Sequence, residues 1–252
     1  MPAKMTEAII LQVKPFQESD LIVHFFSADL GRLIGIAKGA KRSKRRFIHC
    51  LEPLSWVRLF FFEKENASLV RIDQGELIES FEGIGKDFRK WGQAGFFCEM
   101  IKELFPIRDP NREVFDLLTE SLHRLNQKIG DPALKTIVEL RLLKLAGYGL
   151  HLGSCLACQK KIEAIAEPFF SSERGGVLCP GCLKGKGTRI SPGALQSLQQ
   201  SLVKELSKVF RIRFTPAVKT EIENVLEAFS RQVLGKELES VRYLKQVQEG
   251  YG

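Results

Sequence analysis

The sequence predicts a multidomain α+β protein. A five-stranded OB-fold β-barrel is expected over residues 1–80 and a helical domain over 81–252, with a four-cysteine zinc module over 151–187 inserted into the helical part. Three observations lead there. The first 80 residues alternate runs rich in Ile, Val, Leu and Phe with polar or glycine-containing turns. After Ser80 the apolar residues recur at three and four, the helical period. Between helical stretches stand two tight cysteine pairs, Cys155-Leu-Ala-Cys158 and Cys179-Pro-Gly-Cys182, at the spacing of a structural zinc site.

The strands are expected at Thr6–Val13, Asp20–Ser27, Arg32–Lys38, Ser55–Phe62 and Ser68–Glu79. Turns such as Ala28-Asp29-Leu30-Gly31 and Glu63-Lys64-Glu65-Asn66 separate them. Five strands in about 75 residues fit a small closed barrel, and the OB-fold is the common five-stranded barrel that binds oligonucleotides. An SH3-like barrel fits the same pattern. Helices follow over Asp87–Leu104 and Asn111–Ile129. Asp131-Pro132 then offers an N-cap with proline at the first helical position. The next apolar stripe is Leu134, Ile137, Val138, Leu142 and Leu145, stopped at Gly147-Tyr148-Gly149. Inside the cysteine segment, Glu167–Ser172 and Val177–Leu178 read as a hairpin around Glu173-Arg174-Gly175-Gly176. Ser191-Pro192 starts a helix to about Phe210, Thr215-Pro216 opens another, and Lys236–Gln248 closes the chain.

A two-residue gap lets both thiolates of a pair reach one ion from a single turn. Four thiolates close the tetrahedron, so the expected zinc ion holds structure and leaves no position for water or substrate. His151, four residues ahead of Cys155, is an alternative ligand, with an ordinary surface histidine the favoured reading. Cys50 and Cys98 stand alone, so the six cysteines do not form a disulfide framework, and a reducing cytoplasm is the expected compartment. Ala8–Val13 is too short for a signal-peptide core. No apolar run approaches the ~20 residues of a membrane span.

The chain carries 38 Lys and Arg against 30 Asp and Glu, a net charge of +8, which favours an anionic partner. The charge is clustered. Between Gly31 and Phe47 lie Arg32, Lys38, Lys41, Arg42, Lys44, Arg45 and Arg46, with no acid among them. The run Lys38-Gly-Ala-Lys-Arg-Ser-Lys-Arg-Arg46 falls between two expected strands. Its cations suit phosphates and its small residues let the backbone approach them. Along one strand, Trp56, Arg58, Phe60 and Phe62 share a face opposite Val57, Leu59 and Phe61. That aromatic face suits base stacking, although packing is the favoured role. A second basic region comprises Lys184, Lys186, Arg189, Lys204, Lys208, Arg211, Arg213 and Lys219. It reads equally as a nucleic-acid track, a dock for an acidic peptide, or a solvated helix face. No catalytic constellation stands out: His24, His49, His123 and His151 are scattered, and no Gly-rich phosphate loop or H-x-E motif is present.

Several motifs together resemble the bacterial RecO family of recombinational DNA repair. They are Phe16-Gln-Glu-Ser-Asp20, Gly31-Arg32-Leu33, Ala37-Lys-Gly-Ala-Lys-Arg-Ser-Lys44, Leu51 and Pro53. Further on come Arg141-Leu-Leu-Lys-Leu-Ala-Gly-Tyr148, Cys155-x-x-Cys158 and Gly175-Gly-Val-Leu-Cys-x-x-Cys182. Gln159 departs from the pattern, where a glycine often follows the second cysteine, and Leu150-His151 lack a proline common there. The resemblance implies an OB-fold followed by a helical domain with one structural Zn2+, and a non-enzymatic role at the nucleoid. RecO-like proteins bind single- and double-stranded DNA and anneal complementary strands. They act with RecR, and in some members RecF, to load RecA onto DNA coated by the single-strand binding protein SSB. Carried onto this sequence, the resemblance marks Arg32, Lys38, Lys41, Arg42 and Lys44 as DNA contacts, with Arg45 and Arg46 extending the run outside any family motif. The acidic, apolar-ended SSB tail calls for a basic residue beside an apolar groove. The rival readings are an OB-fold RNA-binding protein with a structural zinc module, and a zinc-dependent nuclease.

Overall fold

The computed structural model describes residues 3–64, 68–127 and 133–250. Five strands come first: β1 (Lys4–Phe16), β2 (Asp20–Ser27), β3 (Gly31–Ala37), β4 (Trp56–Phe62) and β5 (Val70–Glu79). They close into a barrel in the order β1-β2-β3-β5-β4, with β4 returning to β1. The β3–β5 pairing is parallel and the others are antiparallel. This is the OB-like arrangement. Period-two alternation aims Ala8, Ile10, Val23, Phe25, Leu33, Val57, Leu59, Phe61, Val70 and Ile72 into one core. Each large side chain so buried contributes ~1.5–3 kcal/mol. β1 serves both sides of the closure: Ala8 pairs with Ser27 of β2 and with Val57 of β4. A register shift between Ile10 and Gln12 supplies the bend that this requires.

The helices are α1 (Glu82–Gly85), α2 (Phe88–Leu104), α3 (Arg112–Asn126), α4 (Leu134–Leu145), α5 (Pro192–Val203), α6 (Leu206–Val209), α7 (Pro216–Leu234) and α8 (Glu239–Gly250). Strands β6 (Phe169–Ser171), β7 (Gly176–Leu178) and β8 (Thr188–Arg189) lie between α4 and α5. Side-chain caps set the starts of α2, α3, α5 and α7. The Asp87 carboxylate accepts the N–H groups of Arg89 and Lys90 at α2, and Asn111 accepts that of Val114 at α3. Ser191 and Thr215 cap α5 and α7, each followed by proline. The expected cap at Asp131-Pro132 lies outside the described residues, and the helix expected over Asn111–Ile129 ends at Asn126, where Gln127 turns to extended backbone.

The chain gathers into two compact units, Met1–Gly130 with Leu238–Gly252, and Asp131–Glu237. These packing bounds differ from the division read from the sequence. In the first unit α8 lies on α2, where Gly92 permits the approach: a Cβ there would meet Leu244 at 2.6 Å. The Glu99 carboxylate caps α8 by accepting the N–H groups of Glu239 and Ser240. In the second unit α4, α5 and α7 pack together. The buried Glu139 carboxylate accepts hydrogen bonds from Lys135 (3.0 Å) and from the Ser230 hydroxyl (2.7 Å). α4 ends in a Schellman turn, with Gly147 at φ +89° and its N–H on the Lys144 carbonyl. The helix expected to run to Phe210 stops instead at Val203. Carbonyls of Ser201, Leu202 and Lys204 accept hydrogen bonds from Arg141 and Lys144 in place of a further turn.

Candidate metal centre and nucleic-acid interface

The cysteine segment interrupts the helices of the second unit between α4 and α5. Cys155 and Cys158 bracket one tight turn, in which the Gln159 N–H reaches the Cys155 carbonyl at 2.9 Å. Cys179 and Cys182 bracket another, a single 3-10 turn over Pro180–Cys182. The β6–β7 hairpin carries the second pair back to the first, turning at Gly175 with φ +67°. The third strand, β8, pairs with β6 and has no sequence signal, because two residues are too few for a periodicity.

The four Sγ atoms lie within 4.8 Å of one another, and Cys158 and Cys179 are 3.8 Å apart. A tetrahedral site with ~2.3 Å metal–sulfur bonds needs about 3.8 Å between sulfurs. The four cysteines thus fit one metal ion. Burial pushes the Cys155 thiol up, but N–H groups of Cys158, Cys179 and Ala157 aimed at its sulfur outweigh this and hold it at about 6. Hydrogen bonds with Cys179 and Cys158 push the Cys182 thiol up to about 12. The module's own core is small: Cys155, Ile165 and Leu178, with Leu156, Ile162 and Leu183 against it. Such a core needs a staple. His151 is not in the cluster; its Nε2 pairs with the Ser154 hydroxyl at 2.9 Å, which in turn donates to Gln159 Oε1. Gln159 sits at φ +59°, the left-handed region that favours glycine.

The basic run forms an anchored arc at the end of β3. Asp20, 8% exposed, accepts the Gly39 N–H at 2.8 Å. The Lys41 N–H reaches the Ser19 carbonyl at 3.0 Å. Ala40, Phe47, Cys50 and Leu51 sink into the barrel core. Burial pushes the Cys50 thiol up to about 11, and only glycine fits beside it at position 75, where a Cβ would stand 2.6 Å from its Sγ. The Phe16-Gln-Glu-Ser-Asp20 motif is therefore the socket for the Lys38–Arg46 arc. The motif alone gives no hint of that role, because the partners lie about twenty residues apart in the chain and only pairing joins them.

The seven basic candidates divide. Lys38, Lys44 and Arg45 are exposed and without an ion pair among the described residues. Lys41 is exposed but its ammonium leans on the Gln17 and Glu18 carbonyls, and Arg42 pairs with Glu18 at 3.4 Å. Arg46 is a clamp: its guanidinium donates to the carbonyls of Lys38 (2.6 Å) and Asp73 (3.3 Å) and lies over the Phe47 ring. Arg32 is not on the arc. It pairs with Phe26 near the opposite end of β3, its Nε is buried without a partner, and its carbonyl accepts the Arg108 N–H. Burial lowers its pKa, with Glu103 opposing.

Val57, Leu59 and Phe61 fill the barrel, leaving Trp56, Arg58, Phe60 and Phe62 on its outer side. Trp56 packs edge-on against Phe115 and His123, and Arg58 pairs with Glu7 and Glu76. The second basic region is also divided. Arg189, Lys208 and Lys219 pair with Glu167, Glu205 and Glu223, while Lys184 and Lys186 are exposed beside the second cysteine pair. Among the described residues no helix is long and apolar enough to cross a membrane.

Two family models match the chain: Recombination protein O N terminal over residues 1–81 and Recombination protein O C terminal over 85–242. Among similar proteins is the DNA repair protein RecO of Syntrophobacter fumaroxidans, 32% identical, covering 98% of each chain. That of Geobacter metallireducens is 31% identical over 98% of this chain and 99% of its own. That of Syntrophus aciditrophicus is 30% identical over 96% and 95%.

Proposed function

The chain belongs to the RecO family of DNA repair proteins, and from that premise we propose that it is a DNA-binding mediator and not an enzyme. It binds single- and double-stranded DNA, anneals complementary strands, and with RecR helps load RecA onto SSB-coated single strands at the nucleoid. RecF and the SSB tail are further partners on this reading. The observation that carries it is the anchored arc, which presents Lys38, Lys41, Arg42, Lys44 and Arg45 from an OB-like barrel. Annealing requires neutralised backbones without base readout, since the strands must read each other. Lysines and arginines on a loop hooked to the β1–β2 turn supply that neutralisation.

In the same reading the metal is zinc, held by Cys155, Cys158, Cys179 and Cys182. It would supply cross-linking of two turns and no reaction chemistry, because four thiolates complete its coordination. The functional division is a DNA-binding barrel over 1–80, a helical domain over 81–252, and the zinc module over 151–187.

The test is annealing of two complementary oligonucleotides pre-coated with the cognate SSB, with and without the protein. Acceleration that persists near physiological salt supports the mediator reading. No acceleration by a folded, metal-loaded protein refutes it.

A further inference from the structure

The cysteine module gathers two lysine pairs that lie far apart in the chain. Lys160 and Lys161 follow Cys158 by two and three residues, and Lys184 and Lys186 follow Cys182 by two and four. At ~3.6 Å per residue or less, each lysine Cα lies within about 14 Å of its cysteine's. The four sulfurs lie within 4.8 Å of one another, so all four lysines surround one cluster. Hydrogen bonds fix where each pair leaves its turn. The Cys155 N–H reaches the Lys160 carbonyl at 2.9 Å, and Ser154 bridges to Lys161. The Leu183 N–H reaches the Cys179 carbonyl at 3.1 Å. Gly185 follows at φ +100°, a conformation that favours glycine, with nothing within 4 Å of where a Cβ would stand. Gly187 then folds back on Leu183, whose side chain a Cβ there would meet at 2.8 Å. Lys184 and Lys186 thus flank an open glycine.

All four lysines are exposed and without an ion pair among the described residues. Elsewhere in the same unit Lys135, Lys208 and Lys219 each pair with a glutamate three or four residues away. Residues 151–190 hold six Lys and Arg against three Glu, and the Arg189–Glu167 pair takes one of each. Glu173 stands on the β6–β7 turn, which leaves Glu163 as the one acid beside Lys160 and Lys161. Four thiolates on a divalent ion carry a further net charge of −2, and the four lysines exceed both together. Crowded like charges repel one another across water, so this arrangement suits an anion that supplies the missing charge. Among the described residues of 151–190 no large apolar side chain is exposed. A protein interface built around buried aromatic or aliphatic anchors has nothing to grip here, whereas a phosphate backbone needs charge alone.

We propose that the cysteine module is a second DNA contact, a site for the backbone of duplex DNA in which Lys160, Lys161, Lys184 and Lys186 neutralise phosphates. The proposal rests on the DNA-binding reading above and adds which form of DNA a second site takes. Unpaired bases require an exposed aromatic platform to stack on, and the module exposes none. A duplex keeps its bases inside and presents one charge per ~1.7 Å of axis, which a cluster of four cations meets with several phosphates. The four cysteines act in this only by joining the turns that carry the lysines.

The experiment is a fluorescence-anisotropy titration of a fluorescein-labelled duplex, and of a labelled oligodeoxythymidine, with the full metal-loaded chain over a range of salt concentrations. The wild type is compared with a module variant that combines Lys160→Gln, Lys161→Gln, Lys184→Gln and Lys186→Gln, and with an arc variant, Lys44→Gln with Arg45→Gln. Loss of four phosphate contacts should reduce the module variant's log–log salt slope on duplex by about 3.6. Its slope on oligodeoxythymidine should change by less than one contact, about 0.7. An unchanged duplex slope in the module variant beside a reduced one in the arc variant overturns the module site and leaves the DNA-binding reading intact. An equal loss of contacts on both forms of DNA overturns the duplex assignment. A wild type that binds neither DNA near physiological salt overturns the module site and the DNA-binding reading together. Should the module variant lose its metal or melt below the assay temperature, lysine acetylation of the wild type, read by mass spectrometry, decides instead. Slower acetylation of Lys160, Lys161, Lys184 and Lys186 in the presence of duplex supports the site. Unchanged acetylation there while Lys44 is protected overturns it, and protection by polyglutamate but not by duplex overturns it in favour of an acidic protein partner.

Discussion

Asp20→Ala separates an anchor from a ligand. The Asp20 carboxylate holds the Gly39 N–H at 2.8 Å and takes the Ser19 hydroxyl at 3.2 Å. A hydrogen bond to a charged group contributes ~1.5–3 kcal/mol. Gly39 is only half-buried, so water can replace part of what is lost, and a cost near ~1.5 kcal/mol is expected. In a chain of this size that lowers the melting temperature by roughly 3–6 °C. The arc also loses its tether at the left-handed Gly39. Re-ordering one residue's backbone on binding costs ~1–2 kcal/mol, a fivefold to thirtyfold loss of affinity for a labelled oligonucleotide. No cation has been removed, so the log–log salt slope should stay that of wild type. Asp20→Asn keeps the acceptor and should recover most of both losses. Unchanged affinity in a destabilised Asp20→Ala protein would refute the anchoring argument, and so would a reduced slope.

Arg46→Ala should behave as a stability variant, costing ~1–3 kcal/mol in urea denaturation through the Lys38 and Asp73 carbonyls it leaves, with little change in salt slope. Gln159→Gly relieves a left-handed residue in the first cysteine turn and should stabilise the metal-loaded protein by ~0.5–1 kcal/mol, read as a higher melting temperature. His24 is held below its usual range by burial first, then by Lys102, Lys14 and Arg32. The unfolded chain therefore binds the extra proton more readily. The resulting stability is full above the unfolded value near 6.5 and is lost as pH falls below it toward the folded value. Melting curves at about pH 7.5 and 5.5 should show a smaller acid loss in His24→Gln than in wild type.

The strands were legible because their period-two pattern meets a filled core. The observed β2 has the expected bounds, and β3, β4 and β5 differ from theirs by one or two residues. The cysteine quartet was legible because ligand spacing is local, and the clustering of four sulfurs agrees with it. Local spacing could not separate the seven basic residues by role. Arg46 and Arg32 read like their neighbours in sequence, yet one spends its guanidinium on carbonyls and the other lies in a strand near Phe26. The left-handed geometry at position 159 was foreshadowed only by the family's glycine.

This partition bounds the electrostatics of the proposed DNA binding. With Arg46 and Arg32 committed to structure, the arc offers at most Lys38, Lys41, Arg42, Lys44 and Arg45. Five single-strand phosphate contacts give a log–log salt slope of about −3.5. Lys41 and Arg42 must first leave the Gln17 and Glu18 carbonyls and the Glu18 carboxylate, so they add less affinity than the other three. Their exchange of one partner for a phosphate is nearly neutral, as for exposed ion pairs generally. A measured slope of about −5 would need two cations beyond the arc. The salt slope, taken on wild type alone, thus counts how many cations a single strand engages.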